Sequence, residues 1–132
     1  MSEVLKPVQI GFYRRIAVSD SPWKDTSDWA AVAREIETLK RELLPLGFRL
    51  ETVEEATEIC VRGYGDLLNS IRLRYPPHGF ANACLGHVIG CSAKLDLAAD
   101  IRRGINRLLF APETIEPLGS DKVVCHNCGC GC

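Results

Sequence analysis

Cys125 to Cys132, the last eight residues of the sequence, read CHNCGCGC and carry four thiols and an imidazole separated by little except glycine. Cys125 and Cys128 form a C-x-x-C pair, and Cys128, Cys130 and Cys132 form two successive C-x-C pairs. Thiolates are soft donors suited to Zn(II), Cu(I), Ni(II) and iron–sulfur clusters. Glycine between them lets the backbone curl until successive sulfurs meet one ion. A Cys-Gly-Cys unit has a second option: its two sulfurs and two intervening amide nitrogens, once deprotonated, form a flat N2S2 claw of the tetragonal kind that suits Ni(II) or Cu(II). Cys125, Cys128, Cys130, Cys132 and His126 are therefore the candidate metal ligands, with Ni(II), Zn(II) or Cu(I) as the ion. The segment offers no large apolar side chain to bury, and its glycines weaken both helix and strand, so its content is chemical.

The stretch from Cys125 to Gly131 resembles the Cys-x-x-Cys-Gly-Cys nickel-binding motif of HypB-type GTPases, which insert nickel into nickel–iron hydrogenases. That resemblance implies Cys125, Cys128 and Cys130 as nickel ligands. It covers seven residues and departs from the family in three ways: the motif is C-terminal, Cys132 adds a fourth thiol, and the chain has no G-x-x-x-x-G-K-S/T phosphate loop. The same spacing is similar to the metal claw of nitrile hydratases, where it lies inside a large folded subunit. Residues 1 to 124 resemble no family.

A second constellation, Cys84, His87 and Cys91, has C-x-x-H-x-x-x-C spacing and falls on one stripe of an expected helix. Cys84 and Cys91 would lie about 10.5 Å apart along its axis, too far for both to reach one zinc at Zn–S bonds of ~2.3 Å. Core packing is the reading of these cysteines, with Cys60 or the tail as the source of further ligands if His87 is used. Arg72, Arg74, Tyr75 and His78 gather in IRLRYPPHGF, and Arg102, Arg103 and Arg107 mark a later helix. They read as a solvated face before a phosphate or acidic-partner site. Gly63 and Gly65 are too weak a pair to mark a nucleotide loop, and Glu54, Glu55 and Glu58 are explained by a helix start. No Ser–His–Asp order, nucleophile elbow or H-E-x-x-H motif exists, so nothing in the sequence names an enzymatic chemistry.

The elements that must carry these residues fit one domain, since 132 residues support a single core. A net charge of -1 with 25% charged residues gives no pull toward nucleic acid or an anionic membrane. The start lacks a secretory leader, no apolar window is long enough to span a bilayer, and the expected location is the cytoplasm. Thiols stay reduced there, so seven cysteines, an odd number, favour metal or redox work over a disulfide scaffold.

Val8, Ile10 and Phe12 alternate as a strand that extends toward Ile16 and Val18. SDSPWKDTSD supplies helix caps near Ser27. Val32, Ile36, Leu39 and Leu43 then follow a three-four spacing from Trp29, and Pro45 and Gly47 end that helix. Phe48 and Leu50 read as a short strand. Thr52 and Glu55 read as a capping box that starts a helix to about Arg62. After Gly63 and Gly65, Leu67, Leu68, Ile71 and Leu73 read as helix up to Tyr75, stopped by Pro76 and Pro77. Phe80 to Phe110 reads as one long helix, kinked at Gly86, Gly90 or Gly104.

The resulting expectation is a mainly α body, or α+β where the strands pair, with up to two short strands. Residues 1–111 form the helical domain, 112–124 a connector and 125–132 a flexible metal-binding tail. The functional expectation is a small accessory or metallochaperone-like protein that passes metal to a metalloenzyme or maturation partner. Two alternatives stand beside it: the precursor of a ribosomally made, enzymatically modified peptide, with the body as leader and the tail as core, and a thiol–disulfide redox protein.

Overall fold

The computed structural model describes residues 5–17, 24–90 and 95–115. Among the described residues the architecture is α/β, a four-stranded mixed sheet with four α-helices, and this overturns the expectation of a mainly α body. Strand β1 (Lys6–Ala17), helix α1 (Trp29–Leu43) and strand β2 (Phe48–Val61) form a parallel crossover unit. Helix α2 (Tyr64–Asn69) leads into β3 (Ile71–Tyr75), which runs antiparallel to β1, and β4 (Phe80–Cys84) pairs antiparallel with β3. Helices α3 (Leu85–Ile89) and α4 (Leu97–Phe110) follow, and the strand order is β2-β1-β3-β4.

Helix α1 forms as its pattern dictates. Asp28 caps it by accepting from Ala31 N–H at 2.9 Å, and Val32, Ile36, Leu39 and Leu43 are its buried stripe. Leu44–Leu46 tightens to a 3-10 turn containing Pro45, and Gly47 closes it at φ 91°, a left-handed value glycine adopts without a Cβ clash.

Three expected helices are strands or broken. Residues 52–61 continue β2, because Thr52, Val53, Thr57, Ile59 and Val61 suit a pleated strand and β1 lies alongside from Lys6↔Phe48 to Ala17↔Val61. Thr52 and Glu55 therefore cap nothing. Ile71, Leu73 and Tyr75 are buried and alternate with Arg72 and Arg74, which is a period of two in β3. The expected long helix over 80–110 divides into β4, α3 and α4. Gly90 at φ 81° ends α3, Leu95 takes the unusual φ of 52°, and Asp96 caps α4 through Ala99 N–H.

One face of the sheet carries the helices. Val8, Ile10, Leu50, Ile71 and Leu73 meet α1 and the buried side of α4 (Leu97, Ile101, Ile105 and Leu108) in a single core. Arg102 joins the two long helices: Nε donates to Glu35, while Nη1 and Nη2 donate to Glu42 at 3.0 and 2.6 Å. The hydrogen bond from Arg102 holds the Glu42 carboxyl below its ordinary value of 4.5, and burial opposes that shift. A depressed carboxylate contributes stability that is present above the unfolded pKa and lost as pH falls through the folded one. Arg102→Met is therefore expected to lower the urea midpoint at pH 7. The gap to the parent should shrink as pH drops below 4.5, as followed by circular dichroism, and a gap that widened in acid would contradict this role.

No helix among the described residues is long and apolar enough to cross a membrane.

Candidate functional site

The five residues singled out as ligands, Cys125, His126, Cys128, Cys130 and Cys132, lie outside the described residues, as does Cys91. Among the described residues no group of three or more His, Cys, Asp or Glu side chains could hold a metal ion.

The remaining members of the Cys84 constellation are built into the fold differently from the expected helical stripe. Cys84 is fully buried at the end of β4 and caps α3, its Sγ accepting from His87 N–H at 3.2 Å. This is the core role its sequence context implies. His87 is half-buried on α3, and Cys60 is exposed on β2, at the opposite edge of the sheet from β4. A short iodoacetamide pulse on the folded, reduced chain is expected to alkylate Cys60 and to spare Cys84. Exposing Cys84 requires opening the core, which costs at least about 5 kcal/mol, so peptide mapping should show protection of at least about a thousandfold. Equal labelling of the two would refute the buried placement.

The arginines divide between the two faces. Besides the Arg102 clamp, Arg103 lies 3.7 Å from Asp100, and Arg107 binds Ile89 O, Thr114 O and Thr114 Oγ1 at 3.2, 2.9 and 2.8 Å. Arg107 thus pins the end of the described chain to α3. On the sheet face opposite the helices, Arg74 pairs with Glu55 at 2.8 Å and with Asn82 at 3.0 Å, over the backbone of Gly11. Asn82 in turn donates to the Tyr13 hydroxyl. Arg72 lies with its guanidinium 4.9 Å from the Tyr13 ring centroid and donates to Asn69, while its Nε is buried without a hydrogen-bond partner among the described residues. The arginines of IRLRYPPHGF are therefore largely internal wiring of the sheet, where the sequence implied a solvated face.

Two of the open depressions among the described residues flank the core. One, of about 490 Å³, is framed by Phe12, Trp29, Thr52 and Glu54, with Arg15 stacked 4.1 Å from the Trp29 ring centroid. The other, of about 480 Å³, lies where the chain leaves α4 and is lined by His78, Gly79, Phe80, Pro112, Glu113 and Ile115. Ile115, the last described residue, forms part of the wall of this groove.

His78 has a specific job at this groove that sequence reading did not find. Leu108 is four residues before Pro112, which has no N–H, so its carbonyl lacks the usual helical donor. Ala111 N–H goes to Arg107 O instead. His78 Nδ1 supplies the missing bond to Leu108 O at 3.0 Å, and its ring meets Tyr75 edge-on with centroids 4.6 Å apart. The available signal was Pro112 itself, which announces an orphan carbonyl but not the donor that satisfies it.

No family model, curated protein or solved structure matches the chain.

Proposed function

We propose that this protein is a small metal-handling accessory factor whose C-terminal thiolates carry Ni(II), Zn(II) or Cu(I) as cargo to a metalloenzyme or maturation partner. The observation that carries this reading is the spacing of Cys125, Cys128, Cys130 and Cys132, which places every neighbouring pair of thiols within C-x-x-C or C-x-C reach of one ion. Cys84 is committed to the core, which leaves the thiols of residues 125–132 as the densest set of soft donors in the sequence.

The mechanism is ligand exchange. A recipient site displaces one sulfur at a time, so the ion passes between proteins without being released to water. A reducing cytoplasm keeps the thiols as ligands rather than disulfides. Protons compete for thiolates, so affinity falls with pH.

The test is native mass spectrometry of the chain purified anaerobically without a metal-affinity tag, beside a truncation lacking residues 125–132. A metal-sized increment confined to the full chain is expected, and it names the element. A metal-free chain with a reversible disulfide would favour the redox reading. A tail altered or cleaved in its own cell would favour the modified-peptide reading.

A further inference from the structure

We infer that the cleft between α1 and β2 is a binding site for a small zwitterion, a free α-amino acid with an apolar side chain. Its carboxylate pairs with Arg14, its ammonium with Glu54, and its side chain lies against Phe12, Trp29 and Val32. Every one of these residues belongs to the β1-α1-β2 unit, and the site is independent of the cysteine segment and of metal handling.

The cleft exists because residue type changes along β2. Leu50 is buried in the core, but the next positions on the same side of the strand, Thr52 and Glu54, are exposed, and Ala56 follows them. A parallel strand covered by a helix ordinarily carries Val, Ile or Leu in such a row. Here polar or small side chains face Trp29, Val32 and Ile36 of α1, and a space of about 490 Å³ is left between the two elements. That volume lies in the range of about 300–1,000 Å³ usual for small-molecule sites. The pairing of β1 with β2 also shifts here: Phe12 is opposite Glu54 and Arg14 opposite Glu58, so three residues of β2 span Tyr13 alone. A regular strand turns alternate side chains away, whereas beside this bulge Tyr13, Arg14 and Arg15 all line the cleft.

The apolar wall is fixed in advance. Trp29 Nε1 donates to Asp25 at 2.8 Å, the Arg15 guanidinium lies 4.1 Å from the ring centroid, and Phe12 meets the ring edge-on at 6.4 Å. A ring already held by three neighbours loses little freedom when a ligand packs on it.

Charge selects the ligand. Glu55 is paired with Arg74 and Arg15 is stacked on Trp29, whereas Arg14 and Glu54 have no ion-pair or hydrogen-bond partner among the described residues. Glu54 stands in a strand, so no helix start accounts for its acid. Arg14 lies two residues beyond the partner of Glu54, about 7 Å along the strand, and both side chains are long enough to reach one small molecule. A simple acid would bring its charge beside Glu54, and a simple amine beside Arg14, each a like-charge contact. A molecule that carries both charges pairs with both.

The experiment titrates the reduced full-length chain with L-phenylalanine, N-acetyl-L-phenylalanine and L-phenylalanine amide, followed by ¹H–¹⁵N NMR of the backbone amides, for the parent, Arg14→Gln and Glu54→Gln. L-Phenylalanine is expected to move amides of residues 12–15, 29–33 and 52–56, and to bind at least about tenfold more tightly than either blocked derivative. Arg14→Gln should weaken L-phenylalanine at least about tenfold while sparing the amide, which has no carboxylate to lose a partner. Glu54→Gln should weaken it likewise while sparing the N-acetyl derivative. A variant that weakened all three probes alike would show a structural effect and overturn the charge pairing. A blocked derivative that matched or exceeded L-phenylalanine in the parent would overturn the zwitterion assignment. No shift in the cleft up to the solubility limit of the three probes would end the inference.

Discussion

Replacing Cys128 and Cys130 together by serine is expected to lower metal affinity by at least about a thousandfold. These two residues take part in every close pair of the tail: Cys128 is shared by the C-x-x-C and the first C-x-C, and Cys130 by both C-x-C units. Serine is nearly isosteric but stays protonated, and its oxygen is a poor donor for soft and borderline ions. Four-ligand structural zinc sites in small peptides bind with about 10–16 kcal/mol, or about 3 kcal/mol per ligand, so two lost thiolates remove about 6 kcal/mol. Regrouping of Cys125, Cys132 and His126 around the ion recovers part of this, and a thousandfold loss corresponds to about 4 kcal/mol. Competition against a chelator of known affinity measures it. Cys60→Ser, on the exposed face of β2, serves as the control and should leave affinity unchanged. Unchanged affinity in the double variant would end the tail reading.

The largest stability effect is expected where α4 crosses β3 and α3. Gly104 is buried there, and a Cβ at this position would overlap Leu85 Cδ1 and approach Leu73 Cδ1 to 3.0 Å. Alanine in mid-helix gains about 1 kcal/mol over glycine, whereas overpacking a dense core costs about 1–3 kcal/mol. Leu85 and Leu73 are both fully buried, so neither can swing aside into solvent, and packing wins. Gly104→Ala should therefore lose about 1 kcal/mol net, and Gly104→Leu at least about 3 kcal/mol, in urea unfolding followed by circular dichroism. Gly63→Ala, where a Cβ meets nothing within 4 Å at an extended backbone, should be near neutral. A Gly104→Ala chain more stable than the parent would show that helix propensity outweighs packing at this crossing.

Part of this architecture is local information. Helix α1 was legible because Val32, Ile36, Leu39 and Leu43 follow the helical period and Asp28 stands one residue ahead of Trp29 as a cap. The beginning of β1 was equally plain from Val8 and Ile10. Elsewhere two periods coincided. The spacing of Leu67, Leu68, Ile71 and Leu73 satisfies a helical face, yet Ile71, Leu73 and Tyr75 equally satisfy the alternation of a strand buried on one side. Thr52 and Glu55 fit a capping box by type and spacing, but they lie in a strand that β1 accompanies over most of its length. An error at each ambiguous stretch moved the body from α/β toward α.

The amino-acid sequence by itself determined the chemical inventory: the thiol spacing from Cys125 to Cys132, the amphipathic face of α1, and the absence of a phosphate loop or nucleophile motif. These are properties of neighbouring residues, and covalent connection alone sets them. Tertiary structure decided which ambiguous segments became strands, because a strand is stabilised by partners far away in the chain, as β1 and β2 are from Lys6↔Phe48 onward. It also decided which polar groups remain free for function. Arg102 is committed to Glu35 and Glu42, which lie 67 and 60 residues away, and Arg74 to Glu55. His78 donates to a carbonyl 30 residues distant that Pro112 had left without a partner. Hydrogen bonds of that separation form only after the core has brought the elements together, so no local pattern announces them.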